Sequence, residues 1–219
     1  MSQQRKPQSE AIMFFRKNQN IILGVIGAIV LLVIGYMAYK NLVVAPKNKK
    51  AIEQMYQAQY MFEKDSFNQA LNNPGVGGTG FLKIITNYSG TESANLAKYY
   101  AGICYLNLGQ FDNAIKYLED YKPADDMLTT MKHTALGDAY SEKGNDTRAM
   151  DNYQKAVKTA TDDVTGPYAF KKLAFFAEKM KQWSLAESSY QTVMDKFPTS
   201  ADVNNAELGL ERMKLKTGK

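Results

Sequence analysis

Between Leu96 and Pro123 the chain reads LAKYYAGICYLNLGQFDNAIKYLEDYKP. Leu96, Tyr99, Ile103 and Leu106 step by three or four, the period of one helix face. Gly109 supplies a helix stop. From Phe111 the stepping resumes through Ala114, Ile115, Leu118 and Tyr121, until Pro123 forbids easy continuation. The pattern predicts two antiparallel helices joined by a tight turn. Gly102 and Ala114 are expected to face each other there, small enough to let the two axes approach to about 8 Å.

The hairpin recurs. Aligned on the small residue of its second helix it gives Ala114, Ala149 and Ala186, steps of 35 and 37 residues. Gly102, Tyr105, Gly109 and Phe111 in the first unit are followed by Leu136, Gly137, Tyr140, Gly144, Tyr153 and Ala156 in the second. The third keeps Leu173, Ala174, Trp183, Tyr190 and Phe197-Pro198. This spacing and chemistry resemble the tetratricopeptide repeat (TPR) family, whose period is about 34 residues. Ala177 in place of Tyr and Lys181 in place of Gly depart from the pattern and predict a looser third hairpin. The fold class expected is all-α, a TPR-type solenoid of helical hairpins with repeats at about 93–126, 128–162 and 166–198.

Upstream, Ile21 to Tyr39 is a run of 19 residues without a charge, 11 of them Ile, Leu or Val. At 1.5 Å per residue such a helix spans about 29 Å, the thickness of a bilayer's hydrocarbon core. The run exceeds the apolar stretch of a signal peptide, and Pro46 follows the best cleavage site at Val43-Val44-Ala45, so an uncleaved transmembrane helix at 20–40 is expected. Gly24, Ala28 and Gly35 share one face of it and offer a packing surface for a second membrane helix. Residues 1–19 form a polar, basic leader with an interfacial patch at Ile12 to Phe15. Residues 41–50 are expected to link the span to a TPR domain at 51–219.

That domain opens on an amphipathic helix at about Ala51 to Lys64 and a short one at Phe67 to Leu71, a degenerate first hairpin. A loop at 72–80 and an apolar helix over FLKIITNY, Phe81 to Tyr88, complete the segment 51–92. A capping helix is expected at 200–216, its Lys214 and Lys216 complementing the negative helix end.

The net charge of +5 does not indicate nucleic acid. Residues 1–50 hold eight basic side chains and one acidic, whereas residues 51–219 are acidic by two charges, so the basicity belongs to the membrane flanks. Those flanks tie: Arg5, Lys6, Arg16 and Lys17 on one side face Lys40, Lys47, Lys49 and Lys50 on the other, so charge sets no orientation. Cys104 is the only cysteine and reads as a small core residue. The sole histidine, His133, is expected at a helix start, with no neighbours to complete a metal site. Gly75, Gly77 and Gly80 spell G-x-G-x-x-G, yet a dinucleotide fingerprint must leave a β-strand, and a helical pattern precedes this one. No catalytic constellation, cofactor, metal or small-molecule substrate is expected.

In the TPR pattern the first helices line the concave side. By that resemblance the inward positions are Leu96, Tyr99, Ile103, Leu106 and Asn107, then Met131, Thr134, Asp138 and Ser141, then Tyr168, Lys171, Phe175 and Glu178. TPR domains that hold chaperone tails carry a Lys/Asn/Arg clamp for a terminal carboxylate, and Tyr99 and Ile103 stand where its first members belong. FLKIITNY followed by NLAKYYAGICYLNLGQFDNAIKYLED, together with the single span, resembles the ancillary SecYEG translocon subunit (YfgM-like) family of Gram-negative inner membranes. That resemblance implies a cytoplasmic N-terminus and a periplasmic TPR domain. It also implies association with the SecYEG translocon, with a PpiD-type membrane-anchored chaperone and with exported polypeptides. Two alternatives stand beside it: an assembly factor of another envelope complex, such as outer-membrane insertion or motility machinery, and a cytosol-facing adaptor.

Overall fold

A computed structural model describes residues 8–75 and 77–218. Arg5 and Lys6 of the flanking charges, Val76 of the glycine-rich loop and Lys219 lie outside the described residues. The chain divides into two compact units, Met1–Lys49 and Lys50–Lys219. All regular structure is helical, and no strand occurs among the described residues.

In the first unit, α1 (Gln8–Lys17) ends at Asn18, whose side-chain amide donates to the Phe14 carbonyl at 3.0 Å. It is followed by α2 (Gln19–Tyr39), long and apolar enough to cross a membrane and with no residue buried against protein. Gly24 and Gly35 have no neighbour within 4 Å of where a Cβ would stand, so the small face containing Ala28 is bare in the single chain. The expected link at 41–50 is helical instead. Lys40–Val44 forms a π-helical turn that runs without a break into α3 (Ala45–Glu63), and Pro46, which has no N–H to give to the preceding turn, directly follows it.

The second unit is built from hairpins. Besides α3 it contains α4 (Phe67–Asn72), α5 (Phe81–Asn87), α6 (Glu92–Asn107), α7 (Phe111–Asp120), α8 (Asp126–Glu142) and α9 (Asp146–Thr159), then α10 (Gly166–Lys179), α11 (Trp183–Lys196) and α12 (Val203–Thr217). One turn recurs four times. The amides of Ser66, Gln110, Asn145 and Gln182 donate to the carbonyls of Met61, Tyr105, Tyr140 and Ala177 at 2.8–2.9 Å, each closing a six-residue helix-end loop. The residue before each donor is left-handed: Asp65 (φ 54°), Gly109 (71°), Gly144 (72°) and Lys181 (57°). The third hairpin, expected to be looser at Lys181, therefore closes with the same geometry as the others.

The same turn shows what became of the first hairpin. Phe67 and Ala70 hold the places of Phe111 and Ala114, so α4 begins a second helix of the repeat type, and Ala70 is fully buried. After one and a half turns α4 gives way to a loop, 73–80, and α5 follows, both short helices packing against α6. The loop is pinned at both ends. Pro74 is buried, the Thr79 hydroxyl donates to Oε1 of Gln54 at 2.8 Å, and a Cβ on Gly80 would stand 2.4 Å from the Leu71 carbonyl oxygen. The G-x-G-x-x-G segment thus links two short helices, with no strand before it.

The interhelix cores follow the periodicity. Met55, Ala58, Ala70, Leu71, Phe81, Ile84, Ala97, Ala101 and Cys104 bury one cluster, and Ala114, Leu118, Leu136, Tyr140, Ala149, Tyr153, Leu173 and Phe176 bury the next. A third joins α10 and α11 to α12 through Ala177, Ala186, Tyr190, Val193, Ala206 and Met213. Gly102 is the close-approach point of α6 and α7, but its main neighbour is Leu118. A Cβ there would lie 2.6 Å from Leu118 Cγ, against 3.4 Å from the Ala114 carbonyl oxygen.

Candidate protein-binding groove

The first helices of the three repeats, α6, α8 and α10, line a groove of about 950 Å³. Their starts are set by local chemistry. Thr91 accepts from the Ala94 amide at the head of α6, and Asp125 accepts from the Leu128 amide at the head of α8, the expected N-cap chemistry. Before α10 the Asp162 carboxylate accepts from the Val164 and Thr165 amides at 2.9 and 2.7 Å and from the Thr165 hydroxyl. Burial works to raise that carboxyl, but these bonds together hold it below the usual carboxylate value.

Tyr99, Ile103, Leu106 and Asn107 on α6 reach the groove, as do Met131, Thr134, Asp138 and Ser141 on α8 and Tyr168 and Phe175 on α10. Leu96, Lys171 and Glu178 do not. Leu96 packs into the cluster around α5 and α6. Lys171 pairs with Asp202, and Glu178 accepts from the Tyr190 hydroxyl and from Arg212 at 2.9 Å, so both turn toward the capping helix. The cause is the phase of α10. From Tyr168 and Phe175 the groove face continues to Lys172, Phe176 and Lys179, whereas 171 and 178 fall on the flank that meets α12. The other side chains missed by sequence reasoning include Phe111, Val164 and Glu142. A 3.6-residue phase drawn through Tyr168 and Phe175 would have found Lys172 and Lys179; nothing in the pattern marked Val164, which precedes the helix.

The lining is largely apolar and aromatic, and its two lysines are already paired. Lys172 Nζ lies 2.9 Å from both Asp138 oxygens, and the Tyr153 hydroxyl donates to the same carboxylate at 2.6 Å. Burial opposes the charge on Lys172, yet Asp138 holds its pKa above the ordinary lysine value. Lys179 pairs with Asp146 and also donates to Ser141. Burial, and then the neighbouring tyrosines, push the Tyr99 hydroxyl well above its usual pKa, so it stays neutral. Tyr168 and Phe175 are 42% and 44% exposed and Val164 is 74% exposed, leaving a sticky surface open to solvent.

The two single-copy chemical residues lie elsewhere. Cys104 is fully buried, and burial pushes its thiol up to about 12, so it is protonated and inert at neutral pH. His133 sits in the middle of α8, not at a helix start, because the helix begins seven residues earlier at Asp126. Its Nδ1 is 2.9 Å from Oδ1 of Asn152 on α9, facing away from the groove. Among the described residues no group of three His, Cys, Asp or Glu side chains is placed to hold a metal ion.

A family model described as tetratricopeptide repeat matches residues 96–122 and 168–200, and a second of the same description matches residues 133–163. No curated protein matches the chain. The first matches cover α6–α7 and α10–α11, the second covers α9 and most of α8, and the interrupted hairpin of α3 to α5 lies outside them. The matched segments and the four identical turns agree: this all-α chain carries tetratricopeptide repeats.

Proposed function

We propose that the chain is a non-enzymatic scaffold, held in a bacterial inner membrane by α2, whose TPR groove receives protein partners. The carrying observation is that sixteen residues from three successive first helices line one open, largely apolar groove whose two lysines are already paired. Such a surface suits a polypeptide segment with apolar or aromatic side chains. Tethering adds to it, since a membrane anchor raises the local concentration of the groove at a membrane-bound partner to the mM range for a short tether.

The partners proposed are the SecYEG translocon, a PpiD-type membrane chaperone and exported polypeptides in transit, with the TPR domain on the periplasmic side. This finer reading is supported by the resemblance of the Phe81–Tyr88 and Asn95–Asp120 segments to the translocon-associated family and by the single apolar helix. Site-specific photo-crosslinking from Tyr99 and Tyr168 in living cells tests it. Capture of translocon subunits or nascent exported chains is the expected result. A single stoichiometric partner outside the Sec system would instead favour an envelope assembly factor.

A further inference from the structure

On the face of α8 turned away from the groove is a second, polar pocket of about 330 Å³, formed with α9 and the end of α7. Three cations from these helices, Lys132, Arg148 and Lys155, line it with two carboxylates, Glu119 and Asp151. With His133 neutral this leaves one positive charge. Its location can be read from the pairings. Asp151 is committed to Lys155 at 2.7 Å, and Glu119 accepts from the Tyr140 hydroxyl at 2.6 Å. Lys132 spends donors on the carbonyls of Glu119 and Tyr121, at 3.2 and 2.6 Å. Arg148 packs over the Tyr140 ring and gives one terminal nitrogen to the Tyr140 hydroxyl at 2.8 Å. Among the described residues no carboxylate lies within ion-pairing distance of Arg148 or Lys132, and the remaining guanidinium edge of Arg148 is a fork of the shape that grips two oxygens.

The histidine beside it is oriented for the same guest. Asn152 Nδ2 donates to the Arg148 carbonyl at 2.9 Å, so its Oδ1 faces His133, and His133 Nδ1 must carry the hydrogen. Nε2 is left as the ring atom able to meet a ligand, accepting when neutral and donating when protonated. We propose that this pocket binds a side-chain carboxylate of an acidic protein segment, a partner contact separate from the groove. The single net positive charge matches a monoanion, Arg148 supplies the bidentate grip, and the pocket volume admits a side chain with its flanking backbone.

Burial, and then the charges of Lys132 and Lys155, lower the His133 pKa against the opposing pull of the Asn152 bond and Asp151, and Glu119 faces the same space. An anion added there must raise it. Because His133 is the only histidine, its imidazole signal in an NMR spectrum of the full chain in detergent micelles is an unambiguous reporter. A capped triglutamate peptide is expected to shift that signal saturably and raise the His133 pKa, while capped triglutamine does neither. Arg148→Ala should weaken the binding about tenfold or more, and the rim variant Lys155→Gln should weaken it less, with far-UV circular dichroism confirming the fold of both. No shift with triglutamate overturns the proposal, as does unchanged binding in both variants. A response to inorganic phosphate, or to phosphatidylglycerol in the micelle, at lower concentration than to the peptide overturns it in favour of a phosphate ligand. The pocket and the groove lie on opposite faces of α8, so crosslinking from Tyr99 and Tyr168 reads out independently of either result.

Discussion

Lys181 occupies a turn position that Gly109 and Gly144 fill in the neighbouring repeats, and it adopts their left-handed backbone at φ 57°. An L-residue with a Cβ pays about 1–2 kcal/mol there. It is held by the Gln182 amide, which donates to the Ala177 carbonyl at 2.9 Å, and by the packing of α10 on α11. Lys181→Gly should therefore relieve strain, offset in part by the larger entropy of glycine in the unfolded chain. The expected gain is about 0.5–1 kcal/mol, or about 1–4 °C in thermal midpoint. Asp65→Gly should gain less, since Asp tolerates the left-handed region better than Lys. A differential scanning experiment on the two variants checks the order.

At the level of elements, the capping helix shows how a repeat array is finished. Ala206, Gly209 and Met213, spaced by three and four, bury the face of α12 that meets Tyr190, and a Cβ on Gly209 would lie 2.5 Å from that ring. Arg212 then clasps Glu178 of α10. Met213 is 1% exposed and Leu215 is 85% exposed, two residues apart on opposite faces. Met213→Ala should cost about 2–5 kcal/mol in urea denaturation, against less than about 0.5 kcal/mol for Leu215→Ala. The hairpins around Gly109 and Gly144 are legible in the sequence because helix faces and glycine stops are local signals, whereas the cap is expected from its terminal lysines and from the need of a repeat array for a polar end. The first hairpin is legible only as a degenerate one, for a local reason too. Asp65 stands where the pattern wants Gly, and the loop at 73–80 cuts short the helix that holds Ala70. Tyr168 and Phe175, seven residues apart, line the groove, whereas Lys171 and Glu178 lie on the flank that meets α12. A 3-or-4 step admits both flanks, and only the full 3.6-residue phase separates Lys172 and Lys179 from them.

Across the whole repeat domain, stability depends on pH through groups whose folded and unfolded pKa values differ. His133 is lowered, mainly by burial, so its contribution is complete above the unfolded value of about 6.5 and is lost as pH falls through the folded value. Asp120 is held down by its bond from Lys98, and the bonds to Asp162 and Glu178 outweigh the burial that would raise them. Their contributions are complete above about 4 and disappear as the pH drops further. Acid should therefore weaken the domain in two stages, a shallow one below about 6.5 owed to a single group and a steeper one below about 4 owed to several. Trp183, the only tryptophan, opens α11 beside the third core cluster and reports unfolding there. Urea midpoints followed by its fluorescence should fall slightly from pH 7.5 to 5.5 and sharply by pH 3.5. His133→Gln should flatten the first stage alone, and Asp162→Asn should lessen the second. A first stage that survives His133→Gln would assign it to a group other than the one imidazole in the chain, and the burial of His133 against Asn152 would then have no bearing on acid stability.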